Sequence, residues 1–286
     1  MKTSDSQFSK PQFSDLQFSN SPFWVSEFAA ELIRSLNQPD FGQKLFQILK
    51  ANLTFDSFVI MLYTNESAPE ILHDEIKEKN DVFYDIYLGG AFLISPIYSA
   101  YKRGDYGFFP IREIVPDDFY NSEYYLSYYS KSGLQDQLIM ISQINETKAV
   151  AISIGLLSGE FSQDDITMTR QLYPIINAAV NKQWSTLTKQ NNDLSNQLQR
   201  AFDLFASSVL TERERTVIQK LMQGHSSKSA AKILGISVDT ERSYRKSAYG
   251  KLNINSQSEL FNLLFSCLGY ADNELDCDPL VLFLNQ

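Results

Sequence analysis

The stretch from Leu210 to Gly269 constrains the fold most tightly, because it starts and stops helices in quick succession. Thr211-Glu-Arg-Glu214 is a capping box, in which a hydroxyl and a carboxyl three residues apart satisfy free amides at a helix N-terminus. Val217, Ile218, Leu221 and Met222 form one apolar stripe, and Gly224 ends that helix. Ser226 or Ser227 caps a short second helix with Ala230, Ala231, Ile233 and Leu234 inward. Gly235-Ile-Ser237 makes a tight turn, from which Ser237 caps a third helix. Ser256-Gln-Ser-Glu259 repeats the capping box and opens a fourth helix, striped by Leu260, Leu263, Leu264, Cys267 and Leu268. Helices this short are marginal alone. They imply one small helical domain, expected at 208–269.

Two short helices joined at a glycine turn make a helix-turn-helix, whose second helix can enter the major groove of DNA. In the third helix, positions 241, 244, 248 and 252 share an inward stripe, leaving Arg242, Ser243 and Lys246 facing out. Arg242 and Lys246 can donate to guanine edges or phosphates, and Ser243 is small enough for close approach. Lys228, Arg245 and Lys251 suit phosphates, with Ser237 and Thr240 at the helix start. The whole chain carries −9. Residues 203–270 hold nine Lys and Arg against six Asp and Glu, so this segment is +3 on a body of −12. Any nucleic-acid contact must come from it.

Leu210-Thr-Glu-Arg-Glu-Arg-Thr-Val-Ile218, Gly224-x-Ser226-x-Lys228, Leu234-Gly-Ile-Ser237 with Thr240, and Lys251-Leu252 resemble the LuxR/FixJ-type DNA-binding domain. The resemblance implies a four-helix domain that binds DNA as a dimer, with Arg242, Ser243 and Lys246 facing the bases. The chain departs from the family pattern at Glu241, where Val is usual, and at Tyr244, Ser229 and Ala230, where His, Glu and Ile are usual. Glu241 falls on the inward stripe, and an unpaired carboxylate there is costly. It is expected to reach a neighbouring Lys or Arg.

The N-terminal part reads as α+β. Residues 23–52 have helical periodicity, Phe58–Tyr63 is a β-rich run, and Ala68-Pro69 marks a turn. Gln137–Gln143 and Ala149–Leu157 read as an antiparallel pair around a turn at 145–147. Ser162 and Asp165 cap a long helix. The expectation is a sensor domain at 23–184, with helices against an antiparallel sheet and an element order like GAF/PAS domains. Its middle, 83–129, packs in fifteen Phe and Tyr. Such rings suit a small-molecule pocket as well as an ordinary core. The candidate ligand residues are Tyr63, Tyr84, Tyr87, Phe92, Tyr98, Tyr101, Phe108 and Phe109. Tyr84-x-x-Tyr87 and Ser95-Pro-Ile-Tyr98 are faintly similar to the autoinducer-binding pocket, but Ser95 replaces its Asp and its Trp is missing. That implies a different effector. Tyrosines near Asp85, Glu113 or Glu123 would suit an amine.

Between the two domains, Val180, Trp184, Leu187, Asn191, Leu194, Leu198, Ala201 and Phe205 step by fours and threes, a seam suited to a homodimer connector at 185–207. The alternative is a helix folded back on its own sensor. Residues 1–22, with Gln-Phe-Ser three times, read as a disordered tail. The extension 270–286 is acidic and then apolar, so Leu280–Leu284 is expected to dock on the sensor or a second subunit. Two cysteines, the absence of a secretory signal and the absence of a membrane-length apolar run point to a cytoplasmic protein. His73 and His225 have no metal-spaced partners, and no P-loop, Gly-x-Ser-x-Gly or dinucleotide fingerprint occurs. No cofactor and no enzymatic activity are expected. The partners expected are double-stranded DNA and a small effector, with RNA polymerase a further candidate and no membrane. Control through a protein partner is the alternative to a small molecule.

Overall fold

The computed structural model describes residues 24–64, 67–76, 81–185, 201–268 and 278–284. The predicted tail 1–22 and the seam positions Leu187 to Leu198 lie outside these residues. Two helices come first, α1 (Trp24–Arg34) and α2 (Phe41–Lys50). The single helical reading of 23–52 is therefore broken, at a turn where Asn37 takes a left-handed φ of 59° and Pro39 follows.

Strands β1 (Ser57–Thr64) and β2 (Ser67–Asp74) lead into an irregular stretch of short helical turns. Within it lie a π-type turn at Val82–Tyr87, helix α3 (Pro96–Arg103), strand β3 (Gly107–Pro110) and a second π-type turn at Tyr125–Tyr129. Strands β4 (Asp136–Gln143) and β5 (Lys148–Leu156) follow, then helix α4 (Gln163–Trp184) with the expected Ser162–Asp165 capping box. The sheet order is β2-β1-β5-β4-β3, antiparallel throughout. Ala68-Pro69, expected as a turn, lies inside β2. Pro is tolerated there because β2 is an edge strand whose pairing with β1 shifts register twice.

Alternation along the central strands sets three layers. Phe58, Ile60, Leu62, Leu138, Met140, Val150 and Ile152 face α1, α2 and α4. Val59, Met61, Tyr63, Ile139 and Ile141 face the aromatic stretch. On that second face β5 contributes only small residues: Ala149, Ala151, Ser153 and Gly155. A Cβ on Gly155 would lie 2.4 Å from Leu134 Cδ2. Small residues there leave room for a full layer of rings, each contributing about 1.5–3 kcal/mol on burial. Of the connector seam, Val180 and Trp184 pack into this chain's own sensor core, Trp184 edge-on to Phe41 at 5.2 Å. Ala201 and Phe205 are buried as well.

The C-terminal part is α5 (Glu212–Met222), α6 (Ser227–Leu234), α7 (Val238–Leu252), α8 (Gln257–Leu268) and a last short helix α9 (Pro279–Leu284). The extension docks, but on its own DNA-binding part, whereas the sequence reading places it on the sensor or a second subunit. Leu280 is buried, α9 packs on α8, and Asp278 holds the turn before α5. Its carboxylate accepts from the amides of Ala206 (2.8 Å) and Ser208 (2.8 Å) and from the Ser208 hydroxyl (2.5 Å). Ala206 sits at a φ of 57°, a conformation that needs such outside support.

Candidate DNA-binding surface and sensor cavities

Each helix of the C-terminal unit begins on a side chain chosen for that place. The Thr211 hydroxyl accepts from the Glu214 amide, and Glu214 returns the bond to the Thr211 amide at 2.8 Å. Ser226, rather than Ser227, caps α6, and Ser237 caps α7 by accepting from the Thr240 amide at 3.0 Å. Gly235 closes α6 at a left-handed φ of 65°, where any side chain would be strained.

This geometry orients α7 as the spacing predicted. Glu241, Ala248 and Leu252 are buried, and Tyr244 is partly so. Arg242, Ser243 and Lys246 are exposed on the other side, with Lys228 exposed on α6 and Arg245 half-buried beside Tyr249. The Ser243 hydroxyl donates to the Asp239 carbonyl at 2.8 Å, and Arg242 lies 3.6 Å from the Asp239 carboxylate. Lys251, expected to hold a phosphate, also donates to Glu214 at 2.8 Å and closes α7 onto α5. Together with a bond from the Ser247 hydroxyl, that ion pair holds the Glu214 carboxyl at about 2. Ile233, expected inward, is 51% exposed, because α6 is too short to bury a wide stripe. Glu241 reaches no Lys or Arg among the described residues. It is fully buried, and among the described residues neither carboxylate oxygen has a hydrogen-bond partner.

In the sensor, the aromatic stretch stacks on the sheet. Tyr63 and Tyr87 share a hydrogen bond of 2.6 Å, and Tyr87 approaches the Ser95 hydroxyl at 3.4 Å. Ser95 also caps α3 by accepting from the Tyr98 amide at 3.1 Å. Burial above all raises the pKa of Tyr63, Tyr87, Tyr124 and Tyr128, so these hydroxyls stay neutral. A cavity of only about 50 Å³ is left among Val59, Met61, Phe83, Tyr87, Tyr124 and Tyr128. On its floor Gln137 donates to Ser153 at 2.9 Å and leaves its carbonyl oxygen without a partner.

Of the eight predicted ligand residues, Tyr87 borders this cavity, while Tyr63, Phe92, Tyr98 and Tyr101 stack in the same core. Phe109 packs against that core. Tyr84 lies outside it: the ring is 42% exposed and its hydroxyl donates to Asp74 at 2.7 Å. Phe108 lies on the opposite sheet face, under Arg170 at 5.0 Å. Adjacent positions of a strand point to opposite faces, so Phe108 and Phe109 could not both join one pocket. Period-two spacing from Tyr63 would have found Met61 and Val59. Tyr124, Tyr128 and Gln137 needed the tertiary fold. Asp85, Glu113 and Glu123, offered for an amine, border neither this cavity nor the larger cleft beside it; Glu113 pairs with Arg170 at 3.2 Å.

The two halves meet at the loop 115–122. Asp117 accepts from the Ser226 hydroxyl at 2.7 Å and from the Ser226 amide at 3.3 Å, at the start of α6. Gly224 sits at a φ of 83°, and a Cβ there would lie 2.7 Å from Ser122 Cβ and 3.0 Å from Pro116 Cγ. His225 is half-buried in the same contact, and its pKa is lowered by burial and then by Lys220.

Residues 208–264 match the model of the family described as bacterial regulatory proteins, luxR family. The chain is 28% identical over 157 residues to the HTH-type transcriptional regulator of the exeN 3' region of Aeromonas salmonicida, covering 51% of this chain and 80% of that protein. It is also 28% identical over 135 residues to the transcriptional regulatory protein TdiR of Thauera aromatica, covering 47% of this chain and 56% of that one. The LBD domain of VqsR from Pseudomonas aeruginosa superposes with a TM-score of 0.50 at 24% identity, covering 57% of this chain and 98% of that domain. That likeness shows the fold of the N-terminal part. Among the described residues no helix is long and apolar enough to cross a membrane. Residues 208–264 form a helix-turn-helix domain of the luxR type of bacterial regulatory proteins, and the two relatives are both transcriptional regulators.

Proposed function

We propose that this chain binds double-stranded promoter DNA as a cytoplasmic homodimer, and that a small molecule held in the N-terminal domain, residues 23–184, modulates this binding. In this reading Arg242, Ser243 and Lys246 enter the major groove, while Lys228 and Arg245 hold phosphates. The observation that carries it is the Asp117–Ser226 contact. It ties the sensor to the first helix of the helix-turn-helix, so a change in the sensor reaches the DNA-binding unit through hydrogen bonds.

Selection of DNA fragments on the purified chain, followed by footprinting, tests the DNA half. Native mass spectrometry tests the effector half. A stoichiometric small molecule that changes the footprint supports the reading, and a response only to an added protein overturns it.

A further inference from the structure

On the outer side of the Tyr125–Tyr129 turn lies a second and larger cavity, of about 460 Å³. The turn is a partition. Tyr124 and Tyr128 face the inner cavity, Tyr125 and Tyr129 face the outer cleft, and Leu134 borders both. The inner space is several-fold too small for a metabolite of ordinary size, whereas the outer one falls in the range of small-molecule sites. The aromatic layer fills its own pocket and presents a different one outside.

The cleft carries both charge signs as well as rings. Phe119, Tyr120 and Tyr125 meet edge to face at 5.2–5.5 Å, and Tyr120 stays 73% exposed. Asp136 is buried at the cleft wall, its oxygens accepting from the amides of Gln137 (2.9 Å) and Phe161 (2.9 Å). Each oxygen keeps a second lone pair. Glu160 and Arg112 also line the cleft, and among the described residues neither has an ion-pair partner; they do not pair with each other.

We propose that this outer cleft binds a free α-amino acid with an apolar side chain. Its ammonium group meets Asp136, Glu160 and the faces of the tyrosines, where cation–π attraction adds to charge. Its carboxylate meets Arg112, and its side chain lies against Phe119 and Leu134. A simple amine would face Arg112 unfavourably, and a neutral apolar ligand would leave both exposed charges unanswered. The cleft also suits a regulatory role. Val115, Phe119 and Tyr120 line it, and they flank Pro116, Asp117 and Ser122, which touch Gly224 and Ser226 of the DNA-binding domain. An occupant bears directly on the loop that joins the two halves. This assignment rests on the small-molecule reading above.

Isothermal titration calorimetry of the full chain with L-phenylalanine, L-tryptophan and L-leucine tests it. Methyl esters lacking the carboxylate, and deaminated acids lacking the ammonium, serve as controls. At least one amino acid should bind stoichiometrically, with each control weaker by about tenfold or more. Glu160→Gln and Arg112→Met should weaken binding by a similar factor without changing the melting temperature, since both side chains are exposed. If none of the three binds, or if both variants bind like the parent chain, the assignment fails. If none binds but a different small molecule still shifts DNA affinity, this site alone falls. Absence of any small-molecule effect on DNA binding would sink the regulatory reading with it.

Discussion

Replacing Glu241 with Val should stabilise the DNA-binding domain. Glu241 is fully buried on α7, its two oxygens lack hydrogen-bond partners, and its stripe otherwise holds Ala248, Leu252 and Tyr244. Burying an unpaired carboxylate costs several kcal/mol after relaxation. One feature offsets part of this. Glu241 lies in the first turn of α7, where the helix dipole favours negative charge by up to about 2 kcal/mol in a partly buried setting. Valine has nearly the same volume, gains about 1.5 kcal/mol from apolar burial, and gives back about 0.5 kcal/mol in helix propensity. The net gain should be about 2–4 kcal/mol. Urea unfolding of the full chain, followed by circular dichroism, should show the helical-domain transition at higher denaturant with an unchanged slope. Glu241→Gln removes the charge but keeps unsatisfied polar atoms, so it should fall between the two. A less stable Glu241→Val variant would refute the reasoning, because it would mean that the carboxylate has a favourable partner.

Substituting Arg242 and Lys246 together with Ala should abolish specific footprinting and leave the oligomeric state unchanged. The residual affinity should show a salt slope shallower by about two. Glu214 should govern acid stability. Its folded-state pKa lies below the usual 4.5, so its contribution is complete at neutral pH and is lost as pH falls from about 4.5 towards about 2. In Glu214→Ala the acid limb of the stability–pH curve should flatten, with a loss of about 1–2 kcal/mol at pH 7, because Glu214 is buried but its partner Lys251 is partly screened by solvent. Gly224→Ala should force the two halves apart, since its Cβ would strike Ser122 and its φ is left-handed. Small-angle scattering should then give a larger radius of gyration, and an unchanged radius would remove the contact's importance.

What could be read from the sequence was local. The caps at Thr211, Ser226, Ser237 and Ser256 each bond to a group three residues away, so their spacing alone identified four helices. The inward stripe of α7 followed from the same arithmetic. The bond from Lys251 to Glu214 was not legible because the two residues lie 37 positions apart. The partition of the aromatic stretch was hidden for another reason. Two π-type turns, at Val82–Tyr87 and Tyr125–Tyr129, depart from the usual helical period, so spacing could not tell Tyr124 and Tyr128 from Tyr125 and Tyr129. Strand β2 was missed because Pro69 reads as a turn unless the strand is known to be an edge.

The contact at Ser226 has a thermodynamic consequence. The start of α6 offers a free amide and hydroxyl where a helix N-terminus attracts anions, and the Asp117 carboxylate already occupies it. A DNA phosphate approaching that end competes with Asp117 for the same two donors. In the proposed reading, competition of this kind is reciprocal: whatever factor an effector exerts on promoter affinity through the loop, the promoter exerts on the affinity for that effector. Effector dose measured on free protein and on DNA-bound protein should then differ by that one factor, which would make the DNA itself part of the sensor.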